Sequence, residues 1–253
     1  MTRETSSAAR RGEPAGAAAR ALEARVAAVD WARVEAELDA LGCARLEALL
    51  APDECAALAA LWDEDRFRSR VVMARHGFGR GEYRYFDHPL PGAVATLRTS
   101  LYPRLAPVAS RWSEALGSDV RFPPTHAAFL ARCHAAGQRR PTPLLLRYEA
   151  DDYNCLHQDL YGPLVFPLQA TILLSAPGRD FTGGEFVLTE QRPRRQSRAE
   201  VVPLAHGDAV VFAVHHRPVQ GARGAYRVTL RHGVSRLRSG LRYALGIIFH
   251  DAA

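Results

Sequence analysis

From residue 144 onward the chain breaks into short apolar or alternating segments, at 144–149, 169–175, 184–190, 199–203, 209–214, 226–232 and 241–249, each set off by Gly, Pro or Asp. Segments of that length with turn residues between them read as strands, and this many in succession read as an antiparallel sandwich or barrel. Any chemistry has to be carried on such strands or on the turns that join them.

The part before this region has a different texture. Residues 22–41 carry Val26, Val29, Trp31, Val34, Leu38 and Leu41 at helical spacing and end at Gly42, a helix stop. A short strand is expected at 44–50. Pro52, Asp53 and Glu54 open a helix that runs to Trp62, with proline and acidic residues in the first turn where the helix dipole favours them. Strands are expected at 67–74 and 82–86 around a Gly-rich turn. Helices are expected at 91–116 and 124–136, the first broken at Pro103 and Pro107. Residues 1–20, mostly Ala, Arg, Ser, Gly and Glu, read as a disordered tail. The expected organisation is therefore α+β. It is one domain over 21–253, with a helical front half at 21–140 packed on a β-rich core at 141–250.

No apolar run approaches the length of a membrane span. Cys43, Cys55, Cys133 and Cys155 are scattered without a C-x-x-C pair, which excludes a disulfide scaffold and suits a reducing cytoplasm. All 33 basic residues are arginine, and the net charge is +6. The charge is uneven: Arg192 to Arg242 holds eleven arginines against Glu200 and Asp208, a local net of +9. Such asymmetry points to an anionic partner.

Two H-x-D pairs occur, His157-Gln158-Asp159 and His206-Gly207-Asp208. On an extended segment, positions i and i+2 share a face, so each pair offers an imidazole nitrogen and a carboxylate oxygen to one ion. A second histidine from a distant strand completes a two-His-one-carboxylate set, which leaves positions open on iron. His232 suits that role, because its strand carries Val228 and Leu230 on the same face while Arg227, Thr229 and Arg231 point away. Ten residues later Arg242 leads another strand and shares a face with Ala244 and Gly246, small neighbours that leave room for a ligand. A guanidinium there gives bidentate pairing to a carboxylate. His206-Gly207-Asp208 directly precedes a strand and reads as a turn. His215, His216 and His250 read as solvated or structural.

The pattern Tyr148, His157-x-Asp159, Gly183-Gly184-Glu185-Phe186, Gly207-Asp208, His232 and Arg242 resembles the Fe(II)/2-oxoglutarate-dependent dioxygenases, in particular the prolyl-4-hydroxylase-like branch. The surrounding text also resembles a bacterial oxygenase family described as acting on damaged DNA. The spacing from distal histidine to arginine is shorter than in AlkB-like repair enzymes. The resemblance covers about residues 141–250. It implies a double-stranded β-helix (jelly roll) core with an N-terminal helical layer. It implies Fe(II) on His157, Asp159 and His232, 2-oxoglutarate and O2 as co-substrates, and Arg242 as partner of the 2-oxoglutarate distal carboxylate. Tyr148 is either a hydroxyl donor to the co-substrate or an ordinary core or rim tyrosine. Gln169 and Thr171 share a strand face that lines the pocket on this reading, Gly183-Gly184 is a turn or bulge, and Cys155 is an ordinary small residue.

Residues 191–198 (Gln-Arg-Pro-Arg-Arg-Gln-Ser-Arg) read as an exposed loop near the barrel mouth. Arg192, Arg194, Arg195 and Arg198 are either a solvated charged loop or a contact for nucleic-acid phosphates. Three functions stay open at this point: an oxygenase performing oxidative demethylation of alkylated nucleic acid, a prolyl or small-molecule hydroxylase, and a non-enzymatic cupin-like metal- or ligand-binding protein.

Overall fold

The structure, a computed structural model, describes residues 12–253. Five helices are described: α1 (Gly12–Ala28), α2 (Trp31–Leu41), α3 (Pro52–Ala60), α4 (Gly92–Ala115) and α5 (His126–Ala135). Four strands lie among them: β1 (Cys43–Leu46), β2 (Phe67–Val72), β3 (Gly79–Arg80) and β4 (Glu82–Phe86). The β-rich part holds β5 (Leu144–Tyr148), β6 (Tyr153–His157), β7 (Leu168–Leu173), β8 (Phe181–Gly183), β9 (Phe186–Gln191), β10 (Arg198–Val202), β11 (Ala209–Ala213), β12 (His216–Gly221), β13 (Gly224–Val234), β14 (Leu237–Gly240) and β15 (Arg242–Ile247).

Thirteen of the strands form two antiparallel sheets face to face, and β8 and β14 pair in a separate two-stranded ribbon. One runs in the order β1-β11-β7-β15-β5-β4-β2. The other runs β10-β9-β13-β6-β3, with β12 also paired to β13. From β5 onward the chain passes back and forth between the sheets, which is the winding of a double-stranded β-helix. The helices cover the outside of the seven-stranded sheet, and one continuous buried cluster runs from Leu22 through to Phe249. The front half is not purely helical: β1, β2 and β4 extend the larger sheet and β3 the smaller one.

Three local expectations need correction. The segment 1–20 is not a tail over its whole length, because α1 begins at Gly12; residues 1–11 lie outside the described residues. Its alanine-rich stretch has high helix propensity, and α1 buries Leu22 and Val26. The helix expected at 22–41 is two helices, since Asp30 accepts from the Arg33 amide and caps a fresh start at Trp31. Pro103 and Pro107 do not break α4, which runs through both. Both prolines face solvent, while Leu97, Leu101, Tyr102, Leu105, Val108 and Trp112 are buried on the opposite side.

Two buried ion pairs tie the layers together. Arg98 on α4 donates to Asp251 Oδ1 at 2.7 Å and to the Ile248 carbonyl at 2.8 Å. Arg217 pairs with Glu190 and donates to the Asp39 and Ala40 carbonyls at the end of α2. Among the described residues, no helix is long and apolar enough to cross a membrane.

Candidate active site

A cavity of about 310 Å3 lies between the two sheets. The larger sheet contributes Leu144, Leu146 and Tyr148 of β5, Gln169 and Thr171 of β7, and Arg242, Ala244 and Gly246 of β15; the smaller contributes Asn154 and His157 of β6, Phe186 of β9 and His232 of β13.

His157 and His232 face each other across the β6–β13 pair, their rings 4.2 Å apart. Asp159 follows β6 and turns its carboxylate between them: Oδ1 is 3.6 Å from His157 Nε2 and Oδ2 is 3.4 Å from His232 Nε2. One ligand atom from each of the three lies within 4.8 Å of the others. The donor set fits a divalent iron, with two imidazoles and one carboxylate on one side and open space on the other. The tautomer of His157 fits as well. Its Nδ1–H donates to the Cys155 carbonyl at 2.8 Å, which leaves the Nε2 lone pair free toward Asp159.

Burial works against the Asp159 charge, but the imidazoles of His232 and His157 and the Tyr161 hydroxyl outweigh it and hold the carboxyl well below the usual carboxylate range. Burial, with the neighbouring His157, pushes the His232 imidazole down, although Asp159 opposes this. Asp159 is thus held as an anion, and His232 is shifted toward its neutral form, both in the direction that metal binding requires. Both carboxylate oxygens are anchored from outside: Tyr161 donates to Oδ1 at 2.6 Å and Gln169 Nε2 to Oδ2 at 2.8 Å. Tyr85 in turn donates to the Tyr161 hydroxyl at 2.9 Å.

Arg242 lies at the other pole of the cavity. It is 1% exposed, and neither its Nε nor its Nη1 has a protein partner. Burial lowers its pKa, against the opposing fields of Tyr148 and Glu185. Tyr148 sits directly opposite it in the β5–β15 register, fully buried, with its ring 5.5 Å from the guanidinium. Burial raises the Tyr148 pKa, so its hydroxyl stays a neutral donor. Gly184 explains the Gly-Gly: its φ is +66°, and a Cβ there would meet Leu237 Cδ1 at 2.2 Å and Arg242 Cδ at 3.1 Å. The glycine lets the arginine stem pass.

The other expected features fall outside this cavity. Asp208 accepts from the Ala48 amide at 2.8 Å and the Ala205 amide at 2.9 Å, so His206-Gly207-Asp208 is a turn whose carboxylate staples backbone. Arg192, Arg194, Arg195 and Arg198 lie on the β9–β10 hairpin; Arg192 pairs with Glu190 at 2.7 Å, and the other three are exposed. Tyr161 and the Cys155 carbonyl were not found by sequence reasoning, and nothing in the spacing marks either.

Residues 81–252 match the family described as "Oxygenase, catalysing oxidative methylation of damaged DNA". An uncharacterized protein of Mycobacterium tuberculosis strain H37Rv is 52% identical over 168 residues, which cover 66% of this chain and 72% of that protein. A Burkholderia pseudomallei oxidoreductase of the 2OG-Fe(II) oxygenase family superposes with a TM-score of 0.51 at 19% identity, covering 89% of this chain and 94% of the other. A Pseudomonas putida prolyl-4-hydroxylase superposes at 0.52 and 16% identity, covering 88% of this chain and 100% of the other. The chain therefore belongs to the family of oxygenases described by that activity on damaged DNA, and it is built on the double-stranded β-helix of the 2OG-Fe(II) oxygenases.

Proposed function

We propose that the protein is an Fe(II)- and 2-oxoglutarate-dependent dioxygenase whose iron is held by His157, Asp159 and His232, and whose substrate is methylated nucleic acid. The observation that carries this reading is Arg242, a buried guanidinium with two unpartnered donor atoms in the same cavity as the His-Asp-His cluster. A buried cation without an anion is costly, and a dicarboxylate co-substrate supplies the missing partner. Arg242 takes the distal carboxylate of 2-oxoglutarate, and the Tyr148 hydroxyl donates to it.

When bound, iron and 2-oxoglutarate supply the oxidation: the co-substrate loses CO2 to give succinate, and one atom of O2 enters a substrate C–H bond. If that carbon is an N-methyl, the hydroxymethyl product separates as formaldehyde and leaves the unmodified amine. The chain's own residues set the geometry. Tyr161 and Gln169 fix the Asp159 carboxylate, the Cys155 carbonyl fixes the His157 ring, and the apolar faces of Leu144, Leu146 and Phe186 keep water out. The family description and the exposed Arg194, Arg195 and Arg198 support nucleic acid as substrate. The continuous core from Leu22 to Phe249 supports one oxygenase domain, and four free thiols support a cytoplasmic setting.

The test is anaerobic addition of Fe(II) and 2-oxoglutarate, followed by aerobic turnover on methylated oligonucleotides and proline-containing peptides. We expect a weak visible charge-transfer band that His157→Ala, Asp159→Ala and His232→Ala each remove and His206→Ala keeps, with formaldehyde released from the oligonucleotide. A band lost in His206→Ala but kept in His157→Ala would overturn the ligand set. Hydroxyproline without formaldehyde would overturn the substrate.

A further inference from the structure

We infer that the rim of this cavity is a platform for an unpaired strand of nucleic acid, in which Phe78 stacks on a base while Arg227 and Arg231 hold phosphates. The inference rests on the nucleic-acid reading above and narrows it to single-stranded or extruded substrate.

Seven large apolar side chains stand more than a third exposed among the described residues. Four of them, Phe78, Tyr153, Leu156 and Leu160, lie on β6, just after it, or in the turn before β3. Phe78 and Leu156 line the cavity and are 47% and 48% exposed. Phe78 is not a loose side chain on a free loop. The Cys155 amide donates to its carbonyl at 2.9 Å, and Gly79 pairs with Asn154. A Cβ on Gly79, whose φ is +124°, would meet the Tyr153 carbonyl oxygen at 2.4 Å, so the turn lies flat on β6. The ring is thus held by the strand that ends in His157. His76 stacks on it, with centroids 5.3 Å apart and planes 24° from parallel.

The cations lie on the strand beside this rim. Along β13, Val228, Leu230 and His232 are buried while Arg227 and Arg231 are exposed, so the arginines stand on the outer face. Since His232 pairs with His157, Arg231 comes level with Gln158, next to Leu156. Neither arginine has a carboxylate partner among the described residues, and burial together with both their charges lowers the His215 pKa beside them. The two are four residues apart, about 13 Å of strand. Cationic tracks flanked by exposed aromatic faces suit single strands, because every base has a face to stack. A duplex fits less well. Asp159 and His232 are only 8% and 6% exposed at the cavity floor, beyond reach of a base that stays in its helix.

The experiment measures binding of fluorescein-labelled single-stranded and duplex oligonucleotides of one sequence to the iron- and 2-oxoglutarate-loaded protein, over a salt series. Wild type should favour the single strand. Phe78→Ala should weaken that binding roughly 5- to 150-fold, the worth of one stacked base, and Phe78→Trp should restore it. Arg227→Gln with Arg231→Gln should flatten the single-strand salt slope by roughly 1.4, at about 0.7 per contact. Equal binding by wild type and Phe78→Ala, or preference for duplex, would overturn the platform and leave the nucleic-acid reading standing. No oligonucleotide binding at low salt, or Phe78-dependent binding of a proline peptide instead, would overturn both.

Discussion

Replacing Arg242 with Met should move two measurable quantities in different directions. In the ligand-free protein the guanidinium is buried, with Nε and Nη1 unpartnered, the Tyr148 and Phe181 rings 5.5 and 5.8 Å away, and Glu185 contributing a favourable field. Exchanging such a cation for an apolar chain of similar length removes a desolvation cost, so the ligand-free melting temperature should stay level or rise. The effect on 2-oxoglutarate is opposite in sign. Losing one partner of a buried charge pair costs about 2–5 kcal/mol, roughly 30- to 5,000-fold in affinity. In wild type at a co-substrate concentration one hundred times Kd, binding stabilises the fold by about 2.7 kcal/mol, a rise of roughly 5–10 °C for a chain of this size. At that same concentration the variant should keep under about 1 kcal/mol, a rise of at most ~3 °C. The assay is thermal unfolding of Mn(II)-loaded protein under nitrogen, with and without 2-oxoglutarate. Arg242→Lys should fall between, since it keeps a charge but loses the planar fork. A wild-type thermal shift in Arg242→Met would show that another group holds the distal carboxylate. A ligand-free variant melting far below wild type would show that Arg242 is a structural cation.

Tyr161→Phe removes the 2.6 Å hydrogen bond to Asp159 Oδ1 and should lower metal affinity about 10- to 100-fold, read by Co(II) competition titration; unchanged affinity would refute the anchoring role. Burial lowers the imidazoles of His126 and His250 to about 4, below their unfolded value near 6.5, so the unfolded chain binds protons first. Their contribution is complete above the unfolded value and is lost as pH falls from about 6.5 toward 4, at up to ~3 kcal/mol each. Melting temperatures that stay flat between pH 7.5 and 4.5 would contradict this.

The strands most legible in the sequence are those buried on both faces or cleanly alternating. Ala209–Ala213 is buried at every position, and Phe186–Gln191 alternates in and out. The strand that carries His157 was missed. β6 is mostly exposed and is covered on its outer edge only by the two residues of β3, so its residues carry no apolar period to read. His157 and Asp159 were legible all the same, because i, i+2 spacing is a property of the pair and does not need the strand to be recognised. The unbroken α4 shows the opposite failure. Local propensity marked Pro103 and Pro107 as breaks, yet both prolines face solvent while a buried stripe along the other side holds the helix together. Tyr161 was invisible because its role depends on a turn that brings it back to its own neighbour Asp159.

The distribution of unsatisfied polar atoms separates charges that hold the fold from charges that serve the cavity. Arg98 and Arg217 are as buried as Arg242, at 1% exposure each, yet each meets a carboxylate and backbone carbonyls. They join helix to sheet, and their charges are met inside the protein, with only the Arg217 Nε left unpartnered. Eight buried side-chain atoms among the described residues lack a partner, and four of them, Gln169 Oε1, His232 Nδ1 and Arg242 Nε and Nη1, belong to residues lining the cavity described above. An unmade hydrogen bond at a buried atom costs about 1–3 kcal/mol, so a fold under selection for stability alone would not gather four in one place. Gathered there, with an anion at one end and a cation at the other, they suit the ligand of the proposed function by complement: a small molecule with a carboxylate for Arg242 and metal-binding oxygens for the His157–Asp159–His232 end.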